Sequence, residues 1–287
     1  MANSITKTKK IEKNELKPKY RFENTPVKSF KRLVILSDLH CGHQGGLTPE
    51  KWQYNLDNEA TADLAKLQTE SWNWYLSTVQ KIGKTCDVMV VNGDLIDGRG
   101  ERNGGAELIT TDRLSQCAIA VECLQVWSPE NIFITRGTPY HSGQSEQYED
   151  IIAERLNAII DDTIIINVNG KIFNFRHKVG GSSVPHGKAT SALKESVWQN
   201  LKSIYNDCPQ VDVVVRSHVH NFIAIQDSLR YTITTPALQV NSRYGKQQCT
   251  GYTDFGFIVI DVYDNGKIDI QPYISRFALN NDVIIKV

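Results

Sequence analysis

Three short apolar runs, each ending abruptly in residues that can do chemistry, constrain this chain most. Lys31 to Ser37 carry Arg-Leu-Val-Ile-Leu into Asp38-Leu39-His40-Cys41-Gly42-His43. Cys86 to Val91 lead into Asn92-Gly93-Asp94-Leu95-Ile96-Asp97, and Asn131 to Thr135 lead into Arg136-Gly137-Thr138-Pro139-Tyr140-His141. Runs this short and this rich in β-branched residues, bounded by turn formers, predict buried parallel strands. Helical patterns follow each of them, over about 57–82, 107–126 and 145–160. In the first helix Ala60, Leu64, Leu67, Trp74 and Val79 recur near helical spacing, and Gly83 closes it. Strand–helix repeated three times implies a parallel sheet with helices packed on it. The polar groups then fall at the carboxyl edge, where open α/β sheets place their ligands.

After Asp161 the texture changes. Thr163–Val168 and Lys171–His177 flank Asn169-Gly170, a two-residue hairpin signal. A helix is expected over about 188–206, with Leu193, Val197, Leu201 and Ile204 on one face. Strands are expected at Val211–Val215, Phe222–Gln226, Arg230–Thr235, Phe255–Val262, Lys267–Ser275 and Val283–Val287, with a hairpin turn at Asp264-Asn265-Gly266. The expectation is one α/β layered sandwich over residues 31–287, its first half mainly parallel and its second half mixed or antiparallel.

Residues 1–30 are polar and Lys-rich, and read as a flexible basic arm. Residues 1–32 hold ten Lys or Arg against Glu12, Glu15 and Glu23, although the whole chain balances 32 basic against 32 acidic residues. Nothing global therefore demands a nucleic-acid partner; an arm that contacts phosphates is the local alternative. The N-terminus lacks the apolar core of a signal peptide and no stretch approaches a membrane span, which points to the cytoplasm. Cys41, Cys86, Cys117, Cys123, Cys208 and Cys249 are scattered and read as reduced thiols. Trp72 and Trp74 read as core packing.

The polar groups at strand ends are Asp38, His40, Asp94, Asp97, Thr138, His141, His177, His218 and His220. Six of these, Asp38, His40, Asp94, His177, His218 and His220, are good ligands for Zn, Mn, Fe or Ni, because imidazole and carboxylate together suit such ions. Residues i and i+2 leaving a strand can turn toward one site, which accounts for Asp-x-His and His-x-His. None of the seven histidines falls in the middle of an expected helix or strand.

Asp38-x-His40, Gly93-Asp94-x-x-Asp97, a Gly motif after the third strand, an isolated His177 and His218-x-His220 stand in the order found in the calcineurin-like metallophosphoesterases, and the chain resembles that superfamily over residues 37–220. The wording around Asp38–His43 and Gly137–His141 is also similar to its phage- or prophage-encoded branch. The resemblance implies a sandwich of two mixed β-sheets flanked by helices. It implies two divalent metal ions: Asp38, His40 and His220 on the first, His177 and His218 on the second, and Asp94 bridging. Two such cations acidify a water and clamp both oxygens of an in-line displacement at phosphorus. Asp97 is expected to orient a ligand histidine.

The third motif departs from the family. Thr138 stands where Asn normally binds the second metal, and His141 lies two residues beyond the usual His. Either the second site is weaker, or His141 itself binds metal, or His141 serves as general acid to the leaving group, the role preferred here. Arg99 and Arg136 are candidates for phosphate contact; Lys188 is a candidate anion contact at a helix N-terminus. The expected activity is metal-dependent phosphoester hydrolysis, with a phosphodiesterase or nuclease preferred to a phosphomonoesterase. The alternatives are a non-catalytic metal-binding protein of the same fold and a nucleic-acid-binding protein working through its arm.

Overall fold

The computed structural model describes residues 29–101, 104–143, 146–182, 184–240 and 253–277. Two mixed β-sheets pack face to face, with helices on their outer faces. The first sheet has the order β11-β10-β1-β2-β3-β4. Its parallel part is β1 (Phe30–Leu36), β2 (Thr85–Asn92), β3 (Ser128–Thr135) and β4 (Ile159–Asp161). Two antiparallel strands, β10 (Phe255–Tyr263) and β11 (Ile268–Ser275), complete it beside β1. The second sheet has the order β5-β6-β7-β9-β8. It comprises β5 (Ile164–Val168), β6 (Lys171–Arg176), β7 (Val213–Arg216), β8 (Ile223–Gln226) and β9 (Tyr231–Thr234).

Strands buried on both faces must be apolar throughout, and their alternation then divides residues between two cores. Leu33 and Ile35 of β1, Val88 and Val90 of β2, and Ile258 and Ile260 of β10 meet Phe173, Phe175, Val213, Val215 and Ile233 between the sheets. Val34, Leu36, Met89, Val91, Phe257 and Val259 face the opposite way, toward α1 (Ala62–Ile82), α2 (Arg113–Leu124) and α4 (Tyr148–Leu156), the last preceded by a single turn, α3 (Pro139–Ser142). Trp72 is buried there, and Trp74 meets Phe255, Phe257 and Phe277 edge-on, so both indoles pack in or against the core.

Three helices are shorter than their sequence patterns predict. Asn55 and Asn58 each accept a hydrogen bond from the backbone two residues on, forming turns that hold off α1 until Ala62. The side chain of Asp112 caps α2 by accepting from the Ser115 N–H at 3.0 Å, so that helix opens at Arg113. At the end of α4, Asn157 turns left-handed with φ +51°, and the next residues pair with β3 as β4. A backbone ladder on the sheet outweighs local helix propensity there.

The second sheet is parallel at its centre, where β6, β7 and β9 run together; only β5 and β8 are antiparallel. The reason is α5 (Lys188–Ile204), which returns the chain across the sheet between β6 and β7, as a parallel pair requires. Asn169 and Gly170 adopt φ +46° and +79° in the tight turn between β5 and β6. The arm over 1–30 lies outside the described residues except for its last two, and Phe30 already belongs to β1. The expected strand at Val283–Val287 and the thiol of Cys249 lie outside them as well. Among the described residues no helix is long and apolar enough to cross a membrane.

Candidate metal centre

Backbone pairing continues past the ends of β1 and β2. Asp38, His40 and Cys41 donate their N–H groups to the carbonyls of Gly93, Asp94 and Leu95, and Asp97 donates back to Cys41. The loops carrying Asp38-x-His40 and Asp94-x-x-Asp97 are thereby held side by side. From the second sheet Ser217 N–H bonds the His177 carbonyl, placing β6 and β7 ends together. The two loop sets meet across the sandwich.

Seven candidate ligands converge at this meeting. Ligand atoms of Asp38, His40 and His220 lie within 4.8 Å of one another, as do those of Asp94, His177 and His218, and those of His40, Asp94 and His141. His177 Nε2 is 2.9 Å from Asp94 Oδ2, and His220 Nε2 is 3.2 Å from Asp38 Oδ1. His40 Nε2 and His177 Nε2 are each 4.0 Å from Asp38 Oδ1. Asp38, His40, Asp94 and His177 are buried; His141, His218 and His220 are partly exposed and form the open side.

The backbone is held in an unfavourable conformation to achieve this. Asp38, His40, Asp94, His218 and His220 all adopt left-handed φ between +45° and +74°. For residues with a Cβ each costs on the order of 1–3 kcal/mol, a reservoir characteristic of functional sites. Two glycines make room. A Cβ on Gly137 would stand 2.2 Å from Asp94 Oδ1, and one on Gly93 would stand 2.5 Å from His177 Nδ1.

Three of the imidazoles are tied by one nitrogen each. His177 Nδ1 donates to the Asn92 carbonyl at 2.7 Å, and His141 Nδ1 to the Asp97 carbonyl at 2.8 Å. A carbonyl only accepts, so both Nδ1 atoms carry the proton. His40 Nδ1 lies 2.9 Å from Asp97 Oδ1. Burial opposes the Asp97 charge, but the hydrogen bond from His40 and the nearby His43 bring it down to about 2, so this carboxylate also accepts. Burial, with His141 nearby, pushes His40 down to about 4 and keeps it neutral. Its Nε2 lone pair therefore faces the cluster. His40 Nε2 is buried with no partner, and Asp38 Oδ1 and His177 Nε2 are buried with only ionic contacts, to His220 and Asp94, that lack hydrogen-bond geometry.

Burial also works against charge on the carboxylates, yet His220 and His177 hold Asp38 at about 2, and His177 and His141 hold Asp94 well below the usual range. Burial opposes the His177 cation too, but Asp94 and Asp38 raise it to about 10. Orphaned buried ligand atoms, fixed tautomers and paired carboxylates are the chemistry of a donor set that a divalent cation completes.

Thr138 reaches the centre differently. Its N–H bonds Asp94 Oδ1 at 2.6 Å, and its hydroxyl lies 3.1 and 3.3 Å from the two Asp94 oxygens. Arg136 is engaged elsewhere, by Asp150 and Asp162. Arg99 is more than half exposed and lies 3.7 Å from Glu146. Lys188 is the first residue of α5. Cys41 Sγ turns into the core toward the Leu47 carbonyl and Cys123. His43 accepts from the Gly45 N–H, and His186 sits in an exposed 3₁₀ turn.

No family model and no curated protein matches this sequence. Solved structures similar in chain path are found. An archaeal phosphodiesterase is 13% identical, with 84% of this chain and 99% of that chain covered and a TM-score of 0.42. Zinc-complexed Vps29 from Entamoeba histolytica is 10% identical, with 85% and 98% covered and a TM-score of 0.41. A predicted phosphoesterase from Streptococcus pneumoniae is 7% identical, with 86% and 99% covered and a TM-score of 0.37.

Sequence reasoning overlooked the residues that support the ligands. Glu149 of α4 is buried and accepts the N–H groups of Leu95 (3.0 Å) and Gly137 (2.7 Å), locking the second and third motif loops together. Gln116 of α2 holds both the N–H and the carbonyl of Gly98. Beneath the ligands, Asn92 Nδ2 donates to Ser217 Oγ, Thr135 Oγ1 donates to Asn92 Oδ1, and Ser37 and Thr235 extend the chain of hydrogen bonds. One signal was available for this layer: each member is the first polar residue after an apolar strand, or next to it.

Proposed function

We propose that the protein is a dinuclear metal-dependent phosphoester hydrolase. One observation carries this reading: two ligand triads, Asp38–His40–His220 and Asp94–His177–His218, lie side by side with unpartnered ligand atoms turned inward. Asp94 also lies within ligand distance of His40 and His141, so it is the carboxylate placed to bridge. Mn, Zn, Fe or Ni suits such a set. Bound there, two cations would acidify a water and neutralise charge on the phosphoryl oxygens.

The chain's own residues orient and exchange protons. Asp97 fixes the ring of His40, and Asn92 that of His177. His141, locked through Nδ1, turns only Nε2 to the cluster, where it can give a proton to the leaving oxygen. Thr138 bonds Asp94 through both its N–H and its hydroxyl. That leaves the Asp94–His177–His218 site three strong donors and supports a weaker second metal. A diester is the preferred substrate: Arg136 and Arg99 are held by Asp150, Asp162 and Glu146, and a monoanion asks for fewer cations than a dianion.

The test is hydrolysis of a chromogenic diester and the matching monoester by chelator-stripped protein, with Mn, Ni, Zn and Mg added back singly. Metal-dependent turnover of the diester, lost in Asp94→Asn, is expected. His141→Ala should slow it about 10²-fold with metal content unchanged. Loss of metal in that variant would make His141 a ligand instead. Two bound metals without turnover of either ester would reject the hydrolase, and no stoichiometric metal would reject the centre itself.

A further inference from the structure

The apolar face of α5 looks outward. The helix turns Ala192, Ser196 and Gln199 toward the second sheet, while Leu193, Val197, Leu201 and Ile204, spaced as one stripe, are exposed. Val197 is 60% exposed, Trp198 59% and Ile204 71%. The outer face of the sheet explains the inversion. Ser196 bonds Asp227, Asn200 accepts from Arg230, and Glu195 accepts from both Arg176 and Arg216 at 2.8 Å. Polar residues on the sheet thus take the polar side of the helix and leave its apolar side uncovered, the reverse of the usual arrangement. Contiguous exposed apolar surface of this kind marks an interaction site.

Charge beside the stripe selects the occupant. A cavity of about 240 Å³ opens next to Trp198, lined by Arg176, Arg216, Lys202, Gln199 and the single carboxylate of Glu195. Three cations thus face one anion. Nε of Arg176 is buried without a partner, and Arg216 shares the Glu195 carboxylate with Arg176. Exposed Lys194 and Lys202 flank Trp198 one turn away on either side. The segments of this chain outside the described residues do not match. Residues 1–28 are Lys-rich, 241–252 hold Arg243 and Lys246 with no acid, and 278–287 hold one Asp and one Lys. A second copy would bring the same lysines. Nucleic acid would meet the cations but leave an aliphatic stripe uncovered.

We propose that the outer face of α5 docks an acidic amphipathic segment of a partner protein, its apolar residues on Val197, Leu201 and Trp198 and a carboxylate in the Arg176–Arg216–Lys202 pocket. This is independent of the metal centre. The test displays random short peptides against the full chain and, in parallel, against Val197→Asp, then measures the enriched peptides by fluorescence anisotropy. Enrichment of acidic sequences with apolar residues at helical spacing is expected on the unaltered chain alone. Val197→Asp should weaken them at least about tenfold and Lys202→Glu less, with binding falling as salt rises. The variant should keep its melting temperature, because Val197 is exposed. No enrichment over the variant, or enrichment of basic sequences, would overturn the proposal. So would a fall in melting temperature in Val197→Asp, which would mean the face is already covered. A dimer in sedimentation that Val197→Asp dissolves would assign the face to a second copy.

Discussion

Glu149 shows how much a single residue away from the ligands contributes to the centre. Its two oxygens each take a backbone N–H, one beside Asp94 and one before Thr138, so it sets the distance between two motif loops. Burial, with Asp94 nearby, raises it to about 7 from an ordinary 4.5. The folded pKa exceeds the unfolded one, so the folded state binds more protons between those values, and this group's contribution to stability falls as pH rises from about 4.5 to about 7. Gln in its place offers one acceptor and sets an NH₂ against an N–H donor. Glu149→Gln should cost about 1–3 kcal/mol and weaken metal binding. Melting of the chelator-stripped proteins between pH 5 and 8 checks the rest. The advantage of the unaltered chain over the variant should shrink with rising pH, and a difference that stays constant would remove Glu149 as the titrating group.

At the scale of elements, the strands were legible because burial on both faces forces continuous apolar runs, and β1, β2, β3 and β10 stand within about three residues of where those runs predict them. That Asp38, His40, Asp94, His177, His218 and His220 would converge was legible because ligand types recur where the runs stop. What escaped depends on partners far apart in the chain. The Asn92–Ser217 bond spans 125 residues, and no local pattern carries it. The stripe on α5 was legible as a face, but not as an outward one, since that is decided by Arg176, Arg216 and Arg230 on other elements. The polar layer has its own test. Asn92→Ala would strand the buried hydroxyl of Thr135, leave Ser217 with Thr235 alone, and should lower stability by about 1–3 kcal/mol in urea denaturation. The Asn92 carbonyl that holds His177 would remain. A loss below about 0.5 kcal/mol would mean that the layer contributes no more than a surface contact.

For the whole molecule, the distribution of candidate ligands between the sheets matters more than their number. Asp38, His40 and Asp94 follow strands of the first sheet; His177, His218 and His220 follow strands of the second. The apolar layer between the sheets holds them face to face, but at this edge it gives way to buried carboxylates and imidazoles whose repulsion and desolvation oppose closure. A cation bound by ligands from both sheets binds only the closed sandwich, so its binding free energy adds to folding stability. At a metal concentration one hundred times the dissociation constant the gain is about 2.7 kcal/mol, which corresponds to a rise of roughly 5–10 °C in melting temperature for a domain of this size. Adding Mn or Zn to chelator-stripped protein should produce that rise, and Asp94→Asn or His177→Ala should reduce it. A control substitution at the opposite end of β6, Lys171→Ala, should leave the rise intact because Lys171 pairs with Asp212 and not with the cluster. An equal rise in all four proteins would mean that the metal binds somewhere other than between the sheets.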